Sequence, residues 1–290
     1  MNENTAIPAE PQKARLREDS IPYKILHNKS IIAGAIILLI MLVLGILAPV
    51  LTPYGPAETS TASKLMGPSG EHLFGTDEFG RDILSRMLYG IRITIPYSIY
   101  SLILAIVTGV PIGLLAGYFK GLDNPLMRLM DILMAFPGML LAIVIVATLG
   151  PGLGNVTIAV GLGTMPAYAR LVRGSVLSLK EQPFVEASIS AGAKSGRIIL
   201  SHILPNLIST LVVYSMLEMA WVIMSISTLS FLGIGAQAPI PEWGALVSSG
   251  KNYILSAPHI STFPMIFIFA TVMAFNLLGD GLRDVLDPRL

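Results

Sequence analysis

The chain of 290 residues is 53% hydrophobic and 13% charged, its mean hydropathy is +0.71, and its formal net charge is +1. Soluble domains carry about 25% charged residues, so this composition indicates an integral membrane protein and excludes an ordinary soluble domain. No basic cluster predicts nucleic acid as a partner, and without cysteine there is no disulfide framework, thiol catalyst or thiolate metal site.

The first part of the chain predicts a tail, one membrane span and a long polar segment. Residues 1–30 are polar and form the predicted N-terminal tail. Residues 31–51 carry no charge, and as a helix they would extend about 31 Å, enough to cross the hydrocarbon core. Residues 52–91 are polar. Within them G-T-D-E-F-G-R-D, residues 75–82, is typical of a helix start, with Thr76 as the predicted N-cap.

Apolar runs in the rest of the chain predict five more spans, and therefore an all-α polytopic membrane protein with about six transmembrane helices. They lie at about residues 92–120, 132–149, from 156 to beyond 170, 207–234 and 260–279. The second span has a small residue at every fourth position, a spacing that lets a neighbouring helix approach closely. These positions are Gly109, Gly113, Gly117 and Gly121. Pro137 and Pro166 are expected to kink the third and fourth spans.

The longest polar interruption of the second half, P-F-V-E-A-S-I-S-A-G-A-K-S-G-R-I-I-L-S-H-I-L-P-N at residues 183–206, predicts two short helices with a break between them. Pro183 suits a first helical turn, and Gly192 can end the first helix with a positive φ. The second helix would run toward Pro205, whose ring disfavours the helical conformation in Leu204.

Basic residues set the predicted orientation. With the N-terminus in the cytoplasm, 14 of the 19 basic residues lie inside, the excess that the positive-inside rule requires. The five outside are Lys64, Arg81, Arg86, Arg92 and Lys251. This orientation places residues 52–91 outside the cell, and it places residues 170–206 and the C-terminal residues 283–290 in the cytoplasm.

The polar interruption at residues 183–206 resembles a segment of a known protein family. The residues Glu186, Ala187, Ser188, Gly192, Ile203, Leu204 and Pro205 resemble the cytoplasmic coupling loop of ABC importer permeases, which docks on an ATPase subunit. Ser188 stands where the family often has a second alanine. The resemblance continues through S-F-L-G-I-G-A-Q (230–237), P-E-W-G (241–244) and F-N-L-L-G-D-G-L-R-D (275–284). Over residues 31–290 the chain resembles the C-type permease subunit of a dipeptide, oligopeptide or nickel ABC importer.

This resemblance implies the fold, the partners and the place in the cell. The fold would be the type I ABC importer permease fold, with a permease core at residues 92–282 and the coupling loop at 170–206. The partners would be a homologous second permease, two ATPase subunits or an ATPase homodimer, an extracytoplasmic solute-binding protein and membrane lipid. The membrane would be the cytoplasmic membrane of a bacterium or archaeon. Peptides, glutathione and nickel chelates stay open as substrates.

No motif in the chain predicts catalysis or a bound cofactor. There is no P-loop, so ATP and Mg²⁺ would bind the partner ATPases rather than this chain. There is no H-E-x-x-H or G-x-S-x-G motif, and the four histidines at positions 27, 72, 202 and 259 are scattered. The chain is therefore predicted to be a permease subunit with no catalytic or metal site of its own.

Glu218 is the only charge in the fifth predicted span, and two interpretations are open. It forms a hydrogen bond to another helix or to Tyr214 one turn earlier, or it lines the pore and meets the cationic end of a peptide or metal complex. The rival class is a secondary transporter or channel powered by an ion gradient. Such proteins tend to have several intramembrane charges or discontinuous helices, and the near-isolation of Glu218 counts against this class.

Overall fold

The computed structural model describes residues 21–286, and its regular elements are helices. In chain order they are α1 (Ile21–His27), α2 (Lys29–Leu51), α3 (Ile83–Tyr118), α4 (Lys120–Ala135), α5 (Gly138–Leu149), α6 (Leu153–Lys180), α7 (Pro183–Ser190), α8 (Ser195–Ile198), α9 (Leu204–Phe231), α10 (Trp243–Gly250) and α11 (His259–Leu286). A π-helical turn, Ile199–Ile203, joins α8 to α9. The all-α class is confirmed. Most of the predicted tail (1–30) and half of the C-terminal segment (283–290) lie outside the described residues.

Within residues 21–286, four helices are long and apolar enough to cross a membrane: α2, α3, the continuous helix Ser195–Phe231, and α11. The pair α4 and α5 would add a fifth span. Helix α6 has 28 residues, but its second half carries Arg170, Arg173 and Lys180, and composition does not mark it as a span. Length and composition therefore mark four or five spans where about six were predicted.

The predicted third span, residues 132–149, is broken near its start. Helices α4 and α5 meet at an angle of 91°. Phe136, at the end of α4, is extended with φ −88° and ψ 134°, because the ring of Pro137 disfavours the helical conformation in the residue before it. The expected kink at Pro137 is thus a sharp break. A discontinuous helix is a feature expected of the rival secondary transporters, so this break counts toward that class, and the near-isolation of Glu218 is the argument against it.

The glycine stripe of α3 is the contact surface with α6. A Cβ atom at Gly113 would lie 2.5 Å from the carbonyl oxygen of Ala169, and one at Gly117 would lie 2.6 Å from Cβ of Val176. Gly109 makes the same kind of contact one turn earlier. Because these positions have no side chain, the two backbones approach closely. The predicted packing face is confirmed for these three positions. The fourth, Gly121, lies in α4, and a Cβ there would meet no described atom within 4 Å.

The polar segment before α3 is held by buried charges, and its predicted helix start is wrong. The N-cap is Asp82, whose carboxylate accepts a hydrogen bond from the Ser85 backbone N–H at 2.7 Å. Thr76 lies six residues earlier and forms an isolated bridge with Asp82. The helix starts later because the Asp77 carboxylate is engaged by Arg81, through the backbone N–H at 3.0 Å and the guanidinium at 2.7 Å. This turn precedes the helix instead of opening it.

Arg92 of α3 donates hydrogen bonds to carbonyl groups of α2 near a proline in that helix. Pro49 lies inside α2 and has no N–H, so the Gly45 carbonyl loses its partner within the helix. Arg92 donates from Nε to this carbonyl at 2.6 Å and from Nη2 to the Ile46 carbonyl at 2.8 Å. In a membrane an unsatisfied carbonyl is costly, so this contact fastens α2 to α3.

We expect Arg92→Met to destabilise the chain by about 1–3 kcal/mol, because the Gly45 carbonyl is left without a donor. In the Pro49→Ala background the same change should have less effect, since the helix supplies its own N–H there. Thermal unfolding of the four purified variants in detergent measures this coupling. Additive effects of the two substitutions would contradict the proposed partnership.

Candidate functional site

Helix α7 of the predicted coupling loop has well-formed ends. Pro183 lies in its first turn, as predicted. At its end the N–H of Gly192 donates to the Ile189 carbonyl at 2.9 Å, and the N–H of Ala193 donates to the Ser188 carbonyl at 3.1 Å. This pattern is a Schellman motif, which needs a left-handed residue. Gly192 has φ +79°, so the predicted positive φ is confirmed.

The inner side of the loop is anchored in the hydrophobic core. Val185 is fully buried, and the residues after the break pack with it against α3 and α6. The anchor residues from the loop and the start of α9 are Val185, Ile198, Ile199, Ile203 and Leu207. Sequence reasoning identified Ile203 as a motif residue and missed the others. The apolar residues that recur in this polar stretch were the signal that could have identified the anchor residues. The loop is thus a fixed extension of the helical core.

The outer side of the loop presents apolar and motif residues together. Phe184, Ile189 and Leu200 are 41%, 50% and 64% exposed. The predicted site residues divide into exposed Glu186, Ala187, Gly192 and Pro205, half-buried Ser188 and Leu204, and buried Ile203. The Ser188 hydroxyl donates to the Phe184 carbonyl at 2.8 Å, so it is satisfied within α7. Clustered exposed apolar side chains on a rigid element are typical of a protein-binding surface.

The predicted helix break at Pro205 is wrong. Leu204 is helical, with φ −56° and ψ −43°, and the helix is continuous over Ser195–Phe231. The π-helical turn Ile199–Ile203 comes directly before Leu204 and widens the helix, which relieves the clash that a proline ring makes in an α-helix. The side-chain amide of Asn206 donates to the His202 carbonyl at 2.6 Å, which satisfies one carbonyl of the irregular turn.

Glu218 lies in α9 beside a cavity of about 110 Å³ between α5, α6 and α9. Its Oε1 accepts a hydrogen bond from the Tyr214 hydroxyl at 2.6 Å, the bond that sequence analysis considered. Its Oε2 is buried and has no hydrogen-bond partner among residues 21–286. The polar and aromatic lining residues near it are Thr164, Trp221 and Ser225. The structural interpretation of Glu218 therefore uses Oε1, which binds Tyr214, and the pore-lining interpretation would use Oε2, which the described residues leave free to accept from a substrate.

Glu242, of the P-E-W-G motif, is a fully buried structural residue that sequence reasoning did not assign. Its Oε2 accepts from the Ala245 backbone N–H at 3.0 Å and caps α10, and its Oε1 accepts from the Ser227 hydroxyl of α9 at 3.0 Å. Trp243 donates from its ring to the Met87 carbonyl of α3 at 3.1 Å. Burial raises the pKa of Glu242, against the opposing effect of these hydrogen bonds. The motif holds α3, α9 and α10 together.

Metal-binding geometry is lacking in the described part of the chain. No group of three or more His, Cys, Asp or Glu side chains within residues 21–286 could hold a metal ion. His72 is instead paired with the N-cap of α3, with its Nδ1 3.0 Å from Oδ1 of Asp82.

Known structures resemble the fold. A chain of the methionine ABC transporter MetNI, in an inward-facing conformation, superposes with a TM-score of 0.58 and 20% sequence identity. The match covers 70% of the present chain and 97% of that chain. A second crystal form of the same transporter gives a TM-score of 0.58 at 19% identity. The present chain thus has the type I permease fold.

Sequence comparisons give the family. The model of the binding-protein-dependent transport system inner membrane component matches residues 109–290, and the N-terminal TM domain of oligopeptide transport permease C matches residues 23–68. The dipeptide transport system permease protein DppC of Alkalihalophilus pseudofirmus is 45% identical over 264 residues, which cover 91% of this chain and 87% of the relative. The glutathione transport system permease protein GsiD of Pectobacterium atrosepticum is 44% identical over 269 residues, 92% of this chain and 89% of the relative. The chain belongs to the family of binding-protein-dependent transport system inner membrane components, the permease subunits of ABC importers.

Proposed function

We propose that this permease subunit forms half of a membrane pathway for small peptides and that separate ATPase subunits drive transport through its coupling loop. The single observation that carries this proposal is the outer surface of α7, where exposed Phe184 and Ile189 flank Glu186 and Ala187 on a firmly anchored loop. The relatives reported above are named for dipeptides and glutathione, which favours peptides over nickel chelates as the substrates.

The second half of the pathway would come from a homologous permease. Helix α9 exposes Trp221 and Met224, at 53% and 49%, and half-buried Thr228 follows one turn later on the same face. An exposed apolar face of this kind suits contact with another helix bundle. Two ATPase subunits, holding ATP and Mg²⁺, and an extracytoplasmic binding protein complete the proposed assembly.

The proposed orientation places the coupling loop in the cytoplasm. Its support is the distribution of basic residues, of which 14 of 19 then lie on the inner side. The polar segment 52–82, with its buried charge cluster, would face the binding protein outside. In this orientation the ATPases and the coupling loop share one compartment.

The test is whether the ATPases depend on the outer surface of α7. We expect Ile189→Glu to lower co-purification of the ATPase subunits with the tagged chain by about tenfold or more, because it places a charge in an apolar contact. Leu255→Glu is a matched control, since Leu255 is 98% exposed and lies between α10 and α11. ATP-dependent peptide uptake by reconstituted vesicles should fall in parallel with the ATPase content.

Two results would contradict the proposed function. One is full retention of the ATPases by Ile189→Glu. The other is wild-type protein that takes up peptide in the absence of any ATPase subunit, driven by an ion gradient.

A further inference from the structure

We infer that the cavity beside Glu218 is a binding site for a primary ammonium group, so that the cationic end of a peptide contacts Oε2 of Glu218 during transport. This inference rests on the proposed function and deepens it, because it names the part of the substrate that the pathway recognises. It is carried by the unequal use of the two carboxyl oxygens and by the character of the cavity.

The carboxyl group is held in place from one side only. The Tyr214 hydroxyl binds Oε1 at 2.6 Å, and Tyr214 itself packs edge-on against Tyr168, with the ring centroids 5.0 Å apart. The Tyr168 hydroxyl in turn lies 2.9 Å from Oγ of Ser215. Tyr214 is therefore a positioning residue. It fixes the carboxyl group and leaves Oε2, which has no partner in the described part of the chain, for another donor.

The cavity has room for such a donor. Its volume is about 110 Å³, whereas one water molecule needs only about 10–15 Å³ on the same measure. A peptide's ammonium end fits this space, and the rest of the peptide would extend from its open side. Gly138 and Gly163 lie in the lining, where the lack of side chains leaves this space free.

The lining chemistry selects a cation that donates hydrogen bonds. Glu218 is the only charged group among the described residues that line the cavity. An ammonium group has three donors, which Oε2 and the hydroxyls of Thr164 and Ser225 can accept. Trp221, also in the lining, offers an aromatic ring, the side chain that cations bind best. One carboxylate with neutral hydroxyls is a poor set of ligands for a divalent metal ion.

The absence of cysteine from the chain allows a direct test. Ser225→Cys places a single thiol in the cavity lining without removing Glu218. The assembled importer is treated with cationic 2-aminoethyl methanethiosulfonate or with neutral methyl methanethiosulfonate, and labelling of this chain is followed by its mass. We expect the ratio of cationic to neutral labelling rates to fall about tenfold when Glu218→Gln is added.

Peptide uptake gives the second readout. Glu218→Gln keeps the acceptor for Tyr214 but removes the charge, so uptake of a free dipeptide by reconstituted importer should fall about tenfold with the complex still assembled. Asp131→Asn is the matched control, because Asp131 is 63% exposed, pairs with exposed Arg170 and does not line the cavity. This control should leave both readouts unchanged.

The outcomes separate the inference from the proposed function. An unchanged labelling ratio, unchanged dipeptide uptake or loss of the assembled complex in Glu218→Gln would overturn the ammonium site and leave Glu218 as a structural residue. Wild-type importer that assembles with ATPases but moves no peptide would overturn the proposed substrate class, whatever the labelling ratio shows.

Discussion

Replacing Gly113 with valine should leave little folded protein in the membrane. The new Cβ would lie 2.5 Å from the Ala169 carbonyl oxygen and 2.7 Å from Cβ of Val172, both atoms of the rigid helix α6. Neither neighbour is the free end of a flexible side chain, so α3 and α6 must separate. We expect a loss of stability of about 3 kcal/mol or more. The yield of monodisperse protein in detergent and its thermal unfolding temperature measure this loss.

Gly121→Val is the matched control for this prediction. Gly121 belongs to the same four-residue spacing in the sequence, but a Cβ there meets no described atom within 4 Å. Valine at this position should therefore change the unfolding temperature by little. Equal damage from the two valines would show that helix propensity, rather than contact with α6, explains the loss.

Gly192→Val should strongly reduce transport while the protein stays folded in the membrane. No described atom lies within 4 Å of a Cβ at Gly192, so the defect would come from the backbone alone. With φ +79°, a β-branched residue costs roughly 1–2 kcal/mol and would disrupt the Schellman motif that ends α7. We expect reconstituted importer to lose at least about tenfold of its peptide uptake, through weaker or misplaced ATPase contact.

Gly192→Asn separates conformation from size. Asparagine is larger than glycine but adopts the left-handed conformation more readily than valine does. It should therefore retain most of the uptake and the bound ATPase that Gly192→Val loses. If asparagine is as harmful as valine, the surface at Gly192 has to remain free for the partner, and its φ angle is not the cause.

Local rules account for much of α7 and of the α3 surface. The glycine at the end of α7 and the proline at its start follow from the conformations that these two residues allow. The spacing of Gly109, Gly113 and Gly117 identifies a packing face because residues four apart lie on one side of a helix. The sequence does not say that α6 is the neighbour, or that Gly121 is outside the contact.

Features that depend on distant residues were beyond sequence reasoning. The rule that predicts a break before Pro205 considers one local clash, whereas the π-helical turn is fixed by Ile199 and Ile203 in the core with α3 and α6. Arg92 reaches a carbonyl 47 positions earlier in the chain. The contact of Tyr214 with Glu218 could be anticipated from their spacing, but the free Oε2 depends on a cavity formed by three helices.

Because the helix is continuous over Ser195–Phe231, movement of the coupling loop at one end can be transmitted to Glu218. The 37 residues of this segment extend about 55 Å, and Glu218 lies about 35 Å from its first residue. If the segment moved as one rigid helix, a tilt of about 10° about the loop end would move Glu218 sideways by about 6 Å. Tyr214 and Glu218 lie on the same helix and would move together, past the cavity walls that α5 and α6 supply. Displacement of the coupling loop by such a tilt is thus geometrically sufficient to reshape the cavity.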